Sequence, residues 1–208
     1  LTDISEYDRD ARLPKEGVLS FFYEGGNDVW GYDPKDKGGF QVFHFQQTDE
    51  LTDMTLPEDL DEHLSFFPCK ITYRSVVSYP SDTYDLNKRF FNGEDQDKHD
   101  DFFDAIYAEQ DDNVNKLFGH PDLIQGDIFL ETQLVSNGLY CGDSTGYKDP
   151  RAKELESGAS EWLLLFQIDS DDNANMMWGD VGRVYFTIKK DDLNKGNFQD
   201  VWAVFQCC

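Results

Sequence analysis

The chain lacks any apolar run near the ~20 residues that a membrane-spanning helix requires; its longest candidates are WLLLF and the terminal VWAVFQCC. A bilayer-spanning protein is not expected. Basic residues are also scarce, 18 Lys and Arg against 42 Asp and Glu, for a formal net charge of -24. Such a field repels phosphate backbones and anionic lipid surfaces, so nucleic acid and membranes are excluded as expected partners, while basic proteins and cations are favoured. Cysteine is sparse: Cys69, Cys141, Cys207 and Cys208 form no CxxC, and the last two are adjacent, a poor arrangement for a structural disulfide. A reduced cytoplasm fits that usage. No HExxH, GxGxxG or GxxxxGK[ST] occurs, so zincin, dinucleotide and P-loop chemistry have no starting point, and no cofactor is expected. The chain opens at Leu1 without a charged-then-apolar leader, and no secretory signal is expected either.

What is present is enough for one core. With 208 residues, 39% hydrophobic and 15% aromatic, residues 1–208 read as a single domain. Alternation and turn residues predict strands at GVLSFFYE (Gly17 to Glu24), FQVFHFQ (Phe40 to Gln46), ITYRSVVSYP (Ile71 to Pro80), DIFLETQLVS (Asp127 to Ser136, with Asn137-Gly138 as the tight turn behind it), WLLLFQID, GRVYFTI and VWAVFQ. Helices are expected from a capping box at Thr55 and Glu58 through Leu64, from about Asp97 to Gln110, and over RAKELESG (Arg151 to Gly158), stopped by glycine. Asp191 to Asn197 reads as a short polar turn. The fold class is α+β, mostly antiparallel sheet with a few short helices. Two stretches share the order strand, polar turn, Trp-Gly, strand: one around Trp30-Gly31, the other around Trp178-Gly179. This fits two related β units sharing one core, and it also arises by chance in β proteins.

Three local patterns invite chemistry. DSDDNANMMWGD (Asp169 to Asp180) places Asp169, Asp171, Asn173 and Asp180 at EF-hand ligand positions 1, 3, 5 and 12. Against calcium stand Ala174 at the glycine position, Met177 at position 9 and strands on both flanks; a turn whose Asp and Asn bond nearby backbone is the expectation. GDSTG (Gly142 to Gly146) resembles a serine-protease nucleophile neighbourhood, but His44, His63, His99 and His120 lie in no matching motif, so Ser144 is read as a loop residue. Cys141 with His120 is the other conceivable nucleophile and base, weighed against the commoner role of buried cysteine as an apolar filler. No catalytic residue is assigned.

Three longer stretches, NKLFGHPDLIQGD (Asn115 to Asp127), LLLFQIDSDDNANMMWGDVGRVYF (Leu163 to Phe186) and KKDDLNKGNFQDVWAVFQC (Lys189 to Cys207), with LPKEGVLSFFYE near the start, resemble the bacterial YwqG-like proteins, a domain family of unknown function. The resemblance implies a cytoplasmic α+β protein without established activity or cofactor, and some members are associated with toxin-immunity loci. It marks Gly119, Pro121, Gln125, Trp178, Asp180 and Arg183 as motif positions for binding. It also implies a further N-terminal stretch, ending in a strand, that this chain lacks. Phe118 and Phe166 depart from the family pattern as core swaps. The expected function is an acidic protein-binding or immunity-type module with a basic partner. The alternative is a small-ligand binder or enzyme using a pocket around Gly119 to Gln125 and Trp178 to Arg183. In WGDVGR, Asp180 is expected to accept backbone N–H bonds or to pair with Arg183.

Overall fold

The computed structural model describes residues 1–26, 28–48, 51–58, 60–61, 64–80, 101, 104–105 and 114–208. Strands β1 (Val18–Tyr23) and β2 (Phe40–Phe45) pair antiparallel as a two-stranded sheet, with Val18 opposite Phe45 and Tyr23 opposite Phe40. A four-stranded antiparallel sheet follows, in the order β3 (Lys116–Leu117), β4 (Trp162–Asp169), β5 (Arg183–Lys189) and β6 (Trp202–Gln206). Four α-helices have both ends among the described residues: α1 (Ile128–Ser136), α2 (Ser144–Lys148), α3 (Pro150–Leu155) and α4 (Lys190–Asn194). The α+β class is as expected.

Alternation along the strands gives the larger sheet two different faces. On one, Phe166 sits opposite Phe186 and Ile168 opposite Val184, which in turn faces Phe205. The hairpin packs there: the Phe21 ring lies 4.6 Å from that of Phe166 and 5.1 Å from that of Phe186. Phe166 is thus a core position, and so is buried Phe118, whose ring carries the Arg12 guanidinium at 4.0 Å. The opposite face is polar toward one end, where Gln167 pairs with Tyr185 and Asp169 with Arg183, itself opposite Gln206. Helix α1 covers the rest of that face, with the Thr132 and Thr187 hydroxyls 3.2 Å apart.

The outer edge of β6 is closed by the first Trp-Gly pair. Phe205 N donates to the Trp30 carbonyl at 3.0 Å, and Trp202 Nε1 donates to that of Gly31 at 2.9 Å. Gly31 has a φ of +83°, and a Cβ there would strike the Ala203 carbonyl, so only glycine fits this close approach. Gly179, of the second pair, packs on the Phe205 ring and Cys207. Both Trp-Gly pairs therefore meet the same strand.

Several expected elements differ. DIFLETQLVS is α1, not a strand: the Asp127 carboxylate caps Phe129 N at 2.9 Å, and the buried positions Ile128, Thr132 and Val135 recur at helical spacing. Asn137-Gly138 ends that helix rather than turning a hairpin. Gly138, at φ +87°, donates to the Val135 carbonyl while Leu139 N reaches that of Leu134, the paired bonds of a Schellman cap. Residues 71–80 form no strand, since no ladder partner engages them among the described residues and Ile71 and Val77 remain 64% and 79% exposed. Around Thr55 and Glu58 no α-helix appears among the described residues, which show the bonds Leu60 N to Pro57 O and Leu64 N to Asp61 O, with Leu64 in a 3₁₀ conformation. Gly158 does not stop the helix at RAKELESG; α3 runs on into a 3₁₀ turn over Glu156–Glu161. The polar turn after β5 winds into α4, with Asp191 and Asp192 in its first turn, where the helix dipole favours acids. The helix expected from about Asp97 to Gln110 falls almost wholly outside the described residues. No helix among the described residues is long and apolar enough to cross a membrane.

Candidate functional site

Three buried side chains of the polar face hold the segment 119–126 against the sheet. Gln167 of β4 accepts from Asp122 N at 2.9 Å and donates to the Asp122 carboxylate at 2.9 Å and to the Val114 carbonyl at 2.6 Å. Gln206 of β6 accepts from Ile124 N and Gln125 N at 3.1 and 3.0 Å and donates to the Gly126 carbonyl at 3.0 Å. The Tyr185 hydroxyl of β5 donates to the Asp122 carbonyl at 2.6 Å, and Lys116 pairs with the Asp122 carboxylate. The backbone groups of this half-exposed loop that turn toward the sheet are thereby paired. Burial pushes the Tyr185 phenol up to about 12, so it stays a donor across the neutral range.

Arg183 completes the network. Its guanidinium forms a two-pronged bond to Asp169, 2.9 and 3.0 Å, and also donates to the Asp122 carbonyl. Burial, the largest single influence, pulls Arg183 toward neutrality, but the bond to Asp169 and the negative charge around it together outweigh burial, and the pKa ends above its ordinary value. Asp169 is 4% exposed and accepts further from Ser170 N and Val114 N. The expected Asp180 to Arg183 contact is not made: Asp169 is the partner because, as Arg183's neighbour across the β4 to β5 ladder, it shares the same face. Asp180 is exposed, and only its backbone is engaged, accepting from Cys208 N at 3.2 Å.

Of the motif positions, Gln125 and Arg183 enter the network. Gln125 donates to the Cys207 carbonyl at 2.7 Å and accepts from the Tyr32 hydroxyl at 3.4 Å. Pro121 is buried within the segment, and Gly119, at φ +77°, precedes His120, whose N–H reaches the Ser78 hydroxyl at 2.8 Å. Trp178 lies apart, its buried ring edge-on to those of Tyr23 and Phe66, 5.7 and 5.4 Å away, with an unpartnered Nε1. An open recess of about 340 Å³ is lined by other residues, among them Leu1, Ile4, Asp8, Leu13 and Glu16. Gln167, Gln206, Asp122 and Tyr185 were not singled out from sequence, although Gln167 and Gln206 break strongly apolar strands and that interruption is a signal.

The loop 169–180 bonds its own backbone. Asp171 accepts from Asn173 N at 2.8 Å and from the Asn173 side chain at 3.0 Å, and Asn175 takes the left-handed conformation at φ +51°. With Asp169 spent on Arg183 and the Asn173 side chain bonded to Asp171, three of the calcium candidates are engaged within the protein. Ser144 opens α2 and accepts from Lys148 at 2.9 Å. Burial pushes the Cys141 thiol up to about 11, and burial and Lys116 lower His120, both shifts that disfavour a thiolate and imidazolium pair.

The tip of the same turn has a different character. Gly182 N donates to the Trp178 carbonyl at 2.7 Å, and the Ser170 hydroxyl donates to the Gly182 carbonyl at 2.9 Å, which fixes the backbone between them. Val181 is held at φ +49°, strained for a β-branched residue, yet is 59% exposed; Met177 is 51% exposed. Asp171, Asp172 and Asp180 belong to the same connection.

The family model described as a domain of unknown function (DUF1963) matches residues 1–207. The chain belongs to that family. The DUF1963 match spans both sheets, the segment 119–126 and the Met177 to Arg183 turn, so the network is built from residues inside the family's own domain. Among curated proteins none matches the chain.

Proposed function

We propose that this DUF1963 protein is an acidic protein-binding module of the immunity type, acting in the cytoplasm, whose docking surface is the connection between β4 and β5. The observation that carries this reading is Val181, strained and exposed at once. Packing does not compensate that strain, and such outliers cluster at ligand clamps. Met177 and Val181 offer apolar contact among Asp171, Asp172 and Asp180, a pattern suited to a basic partner. The net charge of -24 would steer such a partner toward the chain. The resemblance to YwqG-like proteins, some of them at toxin-immunity loci, agrees with this reading. Against a small-ligand or catalytic reading, the Gln125 and Arg183 side chains are already bonded to Cys207, Asp169 and Asp122.

The test is capture from extracts of the source cell at low and high salt, with the wild type beside Met177→Ser/Val181→Ser. Salt shortens the Debye length from about 30 Å at 0.01 M to about 8 Å at physiological strength. A basic protein should be retained by the wild type at low salt, released at high salt and lost by the double variant. Retention that survives both changes, or no basic protein retained, refutes the reading.

A further inference from the structure

The Glu131 carboxyl stands outside the network yet beside it, one turn into the helix that follows Gly126. Its Oε1 accepts from the Tyr147 hydroxyl of α2 at 3.0 Å and lies 2.8 Å from where a Cβ on Gly126 would sit. Its Oε2 is buried with no hydrogen-bond partner. Tyr32 and Cys141 approach closely enough that the Glu131 charge raises the pKa of each. The groups acting on Glu131 itself are the Tyr147 phenol and the Asp127 carboxylate, neither of them a cation. An ionised Glu131 therefore carries one buried oxygen that nothing neutralises.

We propose that Glu131 is a proton-operated latch: protonated, it closes the segment from Cys141 to Lys148 onto α1 and the end of the motif loop; ionised, it favours opening of that segment. Burial first, then the Asp127 charge, push the carboxyl up to about 7, with the Tyr147 bond pulling the other way. The closed form thus holds the proton more tightly than the open one. Closure is strongest below the ordinary carboxyl value of 4.5, weakens as pH rises toward about 7, and is constant above it. The latch does not depend on the protein-binding reading.

The backbone supplies a reporter, because Cys141 N donates to the Tyr32 carbonyl at 2.8 Å across the same junction. Amide hydrogen exchange at Cys141 and Lys148, corrected for the intrinsic pH effect, should show protection falling about tenfold between pH 6 and 8, if opening restores the ordinary carboxyl value. Glu131→Gln, which cannot ionise, should show no fall, and this separates the latch from repulsion among surface carboxylates. Tyr147→Phe removes the bond that lowers the Glu131 pKa, so its fall should move to higher pH. A wild type without the fall, the same fall in Glu131→Gln, or an unmoved fall in Tyr147→Phe overturns the latch.

Discussion

Replacing Gln206 by leucine tests whether the polar face holds the motif loop. Gln206 is fully buried, and its side-chain amide makes three bonds, to Ile124 N, Gln125 N and the Gly126 carbonyl. Leucine fills similar space and makes none. Each buried group left unpaired costs about 1 to 3 kcal/mol. Gln125 and Gly126 are exposed residues, so water can reach part of what is released, and the low end of the range applies: about 3 kcal/mol for the three groups. Burying leucine in place of an amide returns about 1 kcal/mol, leaving a net loss of about 2. With a urea slope of about 2 kcal/mol per M, the unfolding midpoint should drop by about 1 M with unchanged slope. Fluorescence of Trp162, Trp178 and Trp202, all buried, follows the transition. A midpoint within about 0.2 M of the wild type would refute the claim that these bonds hold the loop.

Other substitutions separate the parts of the structure. Asp169→Ala leaves Arg183 without its carboxylate and should cost about 3 kcal/mol, whereas Asp180→Ala should stay within about 0.5; thermal melts of the two rank them. Val181→Asn relieves the left-handed strain and should raise stability by up to about 1 kcal/mol while weakening partner capture, and a variant that gains both would contradict the docking role. The stability advantage of Glu131→Gln over the wild type should grow as pH rises from about 4.5 to about 7, because ionisation is disfavoured in the fold, and reach at most about 2 kcal/mol once solvent screening is allowed for; equilibrium unfolding at a series of pH values measures it.

Strands of the C-terminal half were legible because their apolar runs are long and carry flanking turn signals: β4, β5 and β6 fall where WLLLFQID, GRVYFTI and VWAVFQ place them. DIFLETQLVS misled because its β-branched and aromatic residues suit either element, and the deciding interactions are the Asp127 cap and the burial of Ile128 and Val135 against the sheet. ITYRSVVSYP alternates as a strand should, but alternation supplies no ladder partner. At the site, the family motif pointed to Gln125 and Arg183; a break in an apolar strand marks Gln206, but its pairing with the loop, like that of Asp169 with Arg183, follows from tertiary packing and strand register rather than from local pattern. Glu131 fell inside the strand expected from Asp127 to Ser136 and carried no site assignment, and only tertiary packing buries its second oxygen.

The clasp of Trp30 and Gly31 on the edge of β6 sets a timetable for folding. The bond from Trp202 to Gly31 spans 171 residues. At about 5 to 20 residues per second of synthesis, roughly 10 to 35 seconds separate the appearance of its two halves. Until then Phe21 and Phe40 of the hairpin lack Phe186 and Trp202, the rings they rest on. The nascent hairpin thus waits with aromatic surface bare, a window in which chaperone binding or aggregation competes with folding. A slower codon run late in the message would lengthen that window without altering a single residue of the finished protein.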